Sequence, residues 1–119
     1  MKYIEEQLRY KIEYKELLRA VEGGNSEAKT QLAWYKLSGC GGAEVDGDGA
    51  VALLEERVKD KDVEAMWMLG LCYEYGMGVE QNLKRAAKLY KESRSEIGEF
   101  LVWYERGDRG SGKMNTRGL

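Results

Sequence analysis

Histidine and proline are both absent from this 119-residue chain, and cysteine occurs only twice. The absence of histidine excludes the commonest general base and the commonest transition-metal ligand, together with every nucleophile that histidine would activate. No pair of carboxylates stands out as an alternative, because the acidic residues are scattered among lysines in a pattern typical of solvated helix faces. We therefore expect a protein that is not an enzyme and needs no cofactor.

The chain also has too few cysteines and too short an apolar run for several other classes. Cys40 and Cys72 do not form a disulfide framework and are expected to be reduced thiols. The first residues are charged throughout, unlike a signal peptide, so we expect a cytoplasmic protein. The longest apolar run, 100–104, is too short to span a membrane. With 19 basic and 21 acidic residues, the charge is nearly balanced, which argues against a nucleic-acid partner.

A repeated pattern of helix formers separated by glycines organises the chain. Residues 28–39 and 65–76 share alanine, leucine and glycine positions at a spacing of 37, and the apolar positions that follow them recur at a spacing of 36. A two-helix unit, helix A followed by helix B, therefore recurs about every 36 residues, a length typical of helical-pair solenoids.

The spacing within the second unit indicates how its two helices pack. Ala65, Leu69 and Tyr73 lie at i, i+4 and i+8, which places them on one stripe of helix A. Gly70 beside that stripe would let helix B approach closely. Gly76 would end helix A, and Gly78 would turn the chain back, since glycine adopts positive φ freely.

Residues 52–93 resemble a Sel1-like repeat, a relative of the tetratricopeptide repeat. The resemblance rests on Ala65, Leu69, Gly70, Tyr73, Gly76, Gly78, Val79, Asn82, Ala86, Ala87 and Tyr90. The first unit matches less well: Ala28, Leu32 and Gly39 fit, but Ala33 replaces the glycine and Lys36 replaces the tyrosine. The resemblance implies an all-α solenoid of antiparallel helix pairs with about two and a half repeats.

This alignment predicts the organisation of the chain. One domain covers 1–106 and a flexible tail covers 107–119. The domain divides into an N-terminal helix (1–24), repeat 1 (25–60), repeat 2 (61–94) and a terminal helix (95–106). The predicted helices span 2–22, 26–38, 49–60, 62–75, 82–93 and 96–106.

The acidic stretch Glu44–Glu55 approximates a calcium-binding loop, with Glu44, Asp46, Asp48 and Glu55 as its candidate ligands. Its first ligand position holds Glu where Asp is expected, and no second loop exists to pair with it. The repeat explains the same residues as the turn from helix A to helix B. In that interpretation Asp46 lies opposite Asn82, or Asp48 caps helix B. We expect a structural turn and no metal, and keep a calcium-responsive module as a weaker alternative.

The resemblance further implies that helix A of each repeat lines a concave surface. Aromatic and thioether side chains on these helices would suit a protein-binding groove. The candidates for partner binding are Trp34, Trp67, Met68, Leu71, Tyr75 and Trp103. The neighbouring column of Tyr35, Cys72 and Tyr104 is expected in the core between repeats.

We therefore expect an adaptor that binds another protein or peptide on the concave helix-A face. The alternative is a structural subunit that forms a homo-oligomer, which an exposed apolar end near Phe100 and Trp103 would favour.

Overall fold

The computed structural model of the protein describes residues 2–95, and these residues are helical except for turns and loops. Five α-helices occur in this range: α1 (Lys2–Glu22), α2 (Ala28–Ser38), α3 (Gly47–Lys59), α4 (Val63–Tyr75) and α5 (83–95), with a short 3-10 turn at Cys40–Gly42. The all-α prediction, with helices paired as in a solenoid, is confirmed. The predicted helix at 96–106 and the tail at 107–119 lie outside the described residues.

Both A helices, α2 and α4, end at a glycine in the left-handed conformation. Gly39 has φ 76° and donates its N–H to the carbonyl of Tyr35, and Gly76 has φ 70° and donates to the carbonyl of Cys72. A residue with a Cβ is strained at positive φ, whereas glycine is not. The glycines that recur in the sequence therefore fix where each A helix stops.

Both B helices, α3 and α5, begin at equivalent polar residues. A side-chain oxygen of Asp46 accepts the N–H of Gly49 at 2.9 Å, and one of Asn82 accepts the N–H of Arg85 at 3.1 Å. Each of these side chains therefore satisfies one of the backbone donors left free at a helix start. Of the two caps considered for α3, the structure selects Asp46.

The loops between helices A and B are closed by the same backbone hydrogen bond. The N–H of Asp46 donates to the carbonyl of Lys36 at 2.9 Å, and the N–H of Asn82 donates to the carbonyl of Tyr73 at 2.8 Å. The first loop is one residue longer and contains the 3-10 turn. This extra residue explains why the repeat spacing changes from 37 in the A helices to 36 in the B helices.

The core lies between the paired helices, where α3 packs against both α2 and α4. Its buried members are mostly small or aliphatic: Ala33, Ala50, Val51, Leu54, Ala65, Met68, Leu69, Cys72 and Leu89. Small residues here let helix backbones come close, so that the few large side chains fill the space between them. Leu54 and Leu69, both inaccessible to solvent, form the centre of this core.

The ring of Tyr90 in α5 packs directly against Gly70 of α4. A Cβ built on Gly70 would lie 2.6 Å from Cε1 of Tyr90, which is shorter than any van der Waals contact. The Tyr90 hydroxyl donates to Glu74 Oε1 at 2.6 Å, so the ring is held over the glycine. Gly70 is thus required by packing, as the sequence predicts.

Tyrosine–glutamate hydrogen bonds connect neighbouring helices at three places among the described residues. In addition to Tyr90, Tyr73 donates to Glu55 Oε2 at 3.2 Å, and Tyr35 donates to Glu13 Oε1 at 2.8 Å. The last of these bonds joins α1 to α2, and none of the residues of α1 is itself buried. Polar contacts therefore contribute to holding α1 in place.

The 3-10 turn is the second anchor of α1. A Cβ on Gly41 would lie 2.5 Å from the carbonyl oxygen of Tyr10, so the turn contacts the α1 backbone directly. Tyr14 of α1 also stacks on Tyr35, with ring centroids 5.8 Å apart. This glycine contact has no equivalent in the repeat pattern, and the sequence does not predict it.

Asp62 connects three helices at the start of α4. Its carboxylate accepts the N–H of Ala65 at 3.2 Å as the N-cap, the hydroxyl of Thr30 at 2.7 Å, and the guanidinium of Arg57 at 3.3 Å. Burial alone would raise the pKa of Asp62, but these three hydrogen bonds and the positive charge of Arg57 together outweigh it and lower the pKa below its ordinary value. The carboxylate is thus held ionised at the junction of α2, α3 and α4.

Candidate partner-binding groove

An apolar groove runs between α2 and α4, the two A helices. Its volume is about 340 Å³, and it is lined by Trp34, Leu37, Ser38, Trp67, Met68, Leu71 and Met77. Trp34 and Trp67 remain 44% and 52% exposed at its edges. Large aromatic side chains left this open on a well-packed scaffold are typical of surfaces that bind other molecules.

Helical spacing brings these side chains together. Trp34, Leu37 and Ser38 follow one another at i, i+3 and i+4 on α2, and Trp67 and Leu71 lie at i and i+4 on α4. The groove therefore consists of two parallel stripes, with Met77 of the following turn also in its lining.

The residues predicted to bind a partner occupy different places. Trp34, Trp67 and Leu71 line the groove, and Met68 lies at its base, only 6% exposed and shared with the core. Tyr75 is 66% exposed, but it is not part of the lining. Trp103 lies outside the described residues.

Three lining residues, Leu37, Ser38 and Met77, were not predicted from the sequence. Leu37 aligns with Glu74 in the second repeat, so the repeat pattern gave no reason to expect an apolar surface there. Its spacing of three from Trp34 is the signal that could have identified it. Met77 stands between the two glycines of the turn, and nothing in its local sequence indicates its orientation.

The column beside the groove belongs to the core, as expected. Tyr35 and Cys72 are 4% and 0% exposed, and Tyr104 of the same column lies outside the described residues. Burial raises the pKa of the Cys72 thiol, so this cysteine stays protonated and is a poor nucleophile. Burial, and then the hydrogen bond to Glu13, raise the pKa of the Tyr35 hydroxyl, which therefore remains a neutral donor.

A second, acidic depression of about 470 Å³ lies between α1 and α2. Its lining includes Glu13, Glu16 and Glu27 but no lysine or arginine. The remaining lining residues are Leu17, Ala20, Asn25, Ala28 and Gln31. Helix α2 therefore contributes residues to both the apolar groove and the acidic depression.

The lining of the groove is almost entirely apolar. No titratable group occurs among its lining residues, and the only hydroxyl, that of Ser38, is already bonded to the backbone of Tyr35 and Cys40. A surface of this kind can bury apolar side chains but provides no acid, base or nucleophile.

Two of the four candidate calcium ligands, Asp46 and Glu55, make other contacts in the fold. Asp46 caps α3, and Glu55 of α3 accepts hydrogen bonds from Tyr73 and Arg85. No three acidic or cysteine side chains within residues 2–95 are close enough together to hold a metal ion. The structure therefore gives the calcium interpretation of residues 44–55 no support.

No helix in the part of the chain that the structure describes is both long enough and apolar enough to cross a bilayer.

Comparisons with known proteins agree with this architecture. Residues 63–95, which contain α4, its following turn and the described part of α5, match the family model of the Sel1 repeat. The fold is similar to the crystal structure of a Sel1 repeat protein from Oxalobacter formigenes, with a TM-score of 0.63 and 27% sequence identity. That similarity covers 86% of this chain but only 41% of the Oxalobacter protein. No curated protein sequence matches the chain.

Proposed function

Because the chain is a Sel1-like repeat protein, we propose that it is a non-enzymatic adaptor that holds a partner protein or peptide in the α2–α4 groove. Sel1 repeats generally mediate protein–protein interactions. The placement of the partner in this groove goes further, and it rests on the two tryptophans exposed along the A helices.

The composition of the groove supports this proposal. Tryptophan is among the residues whose truncation most weakens protein–protein binding, typically by about 2 kcal/mol or more at hot spots. Met68 and Met77 add flexible, polarisable surface that can adapt to different ligands. Cys40 and Cys72 are free thiols, which fits an adaptor that acts in the cytoplasm.

The test is an affinity capture from lysate of the source organism, with the parent chain beside a Trp34→Glu, Leu71→Glu double variant. Both positions lie on the groove and outside the buried core, so the variant should keep the parent's circular dichroism spectrum. We expect a partner that the parent retains and the folded variant loses.

The matched control places the same substitutions on another exposed apolar surface, as Ile4→Glu, Leu8→Glu on α1. This variant carries the same added charge and should retain the partner. Partners that remain bound to the groove variant, or are lost equally from the control, would contradict binding in the groove.

Self-association is a second candidate, and the exposed face of α1 favours it. Ile4, Leu8 and Ile12 lie at i, i+4 and i+8, and each is more than half exposed. A helix with such a stripe can pair with another copy of itself. Light scattering after size exclusion would show a dimer in the parent and a monomer in Leu8→Glu; a monomeric parent at high concentration would contradict this alternative.

A further inference from the structure

The apolar groove and the acidic depression share helix α2. Glu27, Gln31 and Trp34 follow at i, i+4 and i+7 around the start of α2, so they face the same direction. Gln31 lines the acidic depression, and Trp34 lines the apolar groove. With a rise of 1.5 Å per residue, Glu27 and Trp34 are about 10 Å apart along the helix. A peptide of a few residues can therefore contact both.

The carboxylates on this face are available to a ligand, whereas the nearby lysines are already used. Lys29 pairs with Glu56 of α3, and Lys36 pairs with Asp46 at 3.7 Å. Within the described residues, neither Glu16 nor Glu27 forms an ion pair. Both lysines of α2 are thus paired with carboxylates of the same repeat. The negative charges of Glu16 and Glu27 are not offset by an ion pair.

The lining residues contributed by α1 and α4 include no positive charge that would offset these carboxylates. Glu64 of α4 lies in the first turn and is exposed, at the position equivalent to Glu27, and α4 contains no lysine or arginine. Glu13 keeps its carboxylate on the same face while it accepts the Tyr35 hydroxyl. Arg9, one turn earlier on α1, contacts the Tyr10 ring and is not part of the lining.

We propose that the occupant of the groove is a basic peptide segment, which places an apolar side chain between Trp34 and Trp67 and lysine or arginine side chains against Glu16 and Glu27. This inference rests on the proposed function and specifies its ligand. The apolar contact would supply most of the affinity, while the charges would orient the segment, speed its association and discriminate against acidic peptides.

The test is a selection of random dodecapeptides displayed on phage against the full 119-residue chain. Enriched peptides should carry more lysine and arginine than the starting library, together with at least one aromatic or aliphatic residue. Three enriched peptides, synthesised with a fluorescent label, are then titrated by anisotropy against the parent and its variants.

The decisive variant is Glu16→Gln, Glu27→Gln, which removes two charges with little change of shape. Since each exposed ion pair contributes roughly 0.2–1 kcal/mol and two are removed, the labelled peptides should bind about 2- to 30-fold more weakly, and the difference should shrink at high salt. The control Glu5→Gln, Glu92→Gln removes two exposed charges from other surfaces and should bind as the parent does.

The outcomes separate this inference from the proposed function. Enriched peptides without excess basic residues, or equal binding to both glutamine variants, would overturn the basic ligand while leaving the groove intact. Peptides that bind Trp34→Glu, Leu71→Glu as tightly as the parent, or no enrichment at all, would overturn the groove and the inference together.

Discussion

Gly70→Ala is expected to destabilise the protein, although alanine is the better helix former. Alanine is favoured over glycine inside a helix by about 1 kcal/mol. Against this, the new methyl group would lie 2.6 Å from Cε1 and 2.9 Å from Cδ1 of Tyr90. Overpacking of this kind costs about 1–3 kcal/mol. Displacing the ring would also weaken the Tyr90–Glu74 hydrogen bond, worth about 1 kcal/mol.

The expected net loss in the free energy of unfolding is about 1–3 kcal/mol. Urea unfolding followed by circular dichroism at 222 nm would measure it, and each kcal/mol should lower Tm by roughly 4–8 °C. Gly23→Ala is the matched control. A Cβ at Gly23 would meet only the carbonyl oxygens of Arg19 and Ala20, at 3.4 and 3.6 Å. This control should stay within about 0.5 kcal/mol of the parent.

A double-mutant cycle identifies the cause. If the clash with the ring is responsible, Tyr90→Leu should cost clearly less in the Gly70→Ala background than in the parent. A Gly70→Ala variant as stable as the parent, or additive effects of the two changes, would refute the close approach of α4 and α5 at this point.

Three further predictions concern ionisable and polar groups. Asp62→Ala should lower the free energy of unfolding, measured in urea, by about 2–4 kcal/mol, because it removes the N-cap of α4 and leaves the buried Thr30 hydroxyl without its partner. The control Asp48→Ala, in the exposed first turn of α3, should lower it by less than about 1 kcal/mol. Equal losses in the two variants would contradict the hydrogen bonds assigned to Asp62. Because the pKa of Asp62 is lowered by folding, the stabilisation from its carboxylate is fully present at pH values above the unfolded-state pKa of about 3.9. This stabilisation is lost as the pH falls through the folded-state pKa. The parent should therefore lose more stability than Asp62→Ala between pH 5 and pH 2, and parallel curves would contradict this. Burial of Cys72 predicts that a thiol reagent labels Cys40 quickly and Cys72 only as fast as the protein opens, so rapid labelling of both would contradict the packing.

The helices and their ends were predictable because their signals are local. The helices α1 to α4 begin and end within about two residues of their predicted ranges, and α5 begins within one residue of its predicted start. Gly39 and Gly76 mark helix ends because positive φ favours glycine, although Lys61 also adopts it in this structure. Asp46 and Asn82 could be matched as caps through the repeat alone, although the choice between Asp46 and Asp48 required the backbone geometry.

The surface was less predictable, because equivalent positions in a repeat have different neighbours. Thr30 and Trp67 are separated by the repeat spacing of 37, but Thr30 is 2% exposed and Trp67 is 52% exposed. Thr30 is covered by Asp62, which begins the next A helix. Exposure is therefore set by what lies beside each repeat, and a periodic pattern does not contain this information. The contact of Gly41 with Tyr10 depends in the same way on packing between distant residues.

The two A-to-B turns meet through their backbones, at Gly47 and Gly78. A Cβ on Gly78 would lie 2.3 Å from the carbonyl oxygen of Gly47, and a Cβ on Gly47 would lie 2.8 Å from the Cα of Gly78. Main-chain atoms in such contact cannot change rotamer to adjust, so a side chain at either glycine would force the two turns apart. Two residues outside the groove therefore limit how closely the successive repeats can approach each other.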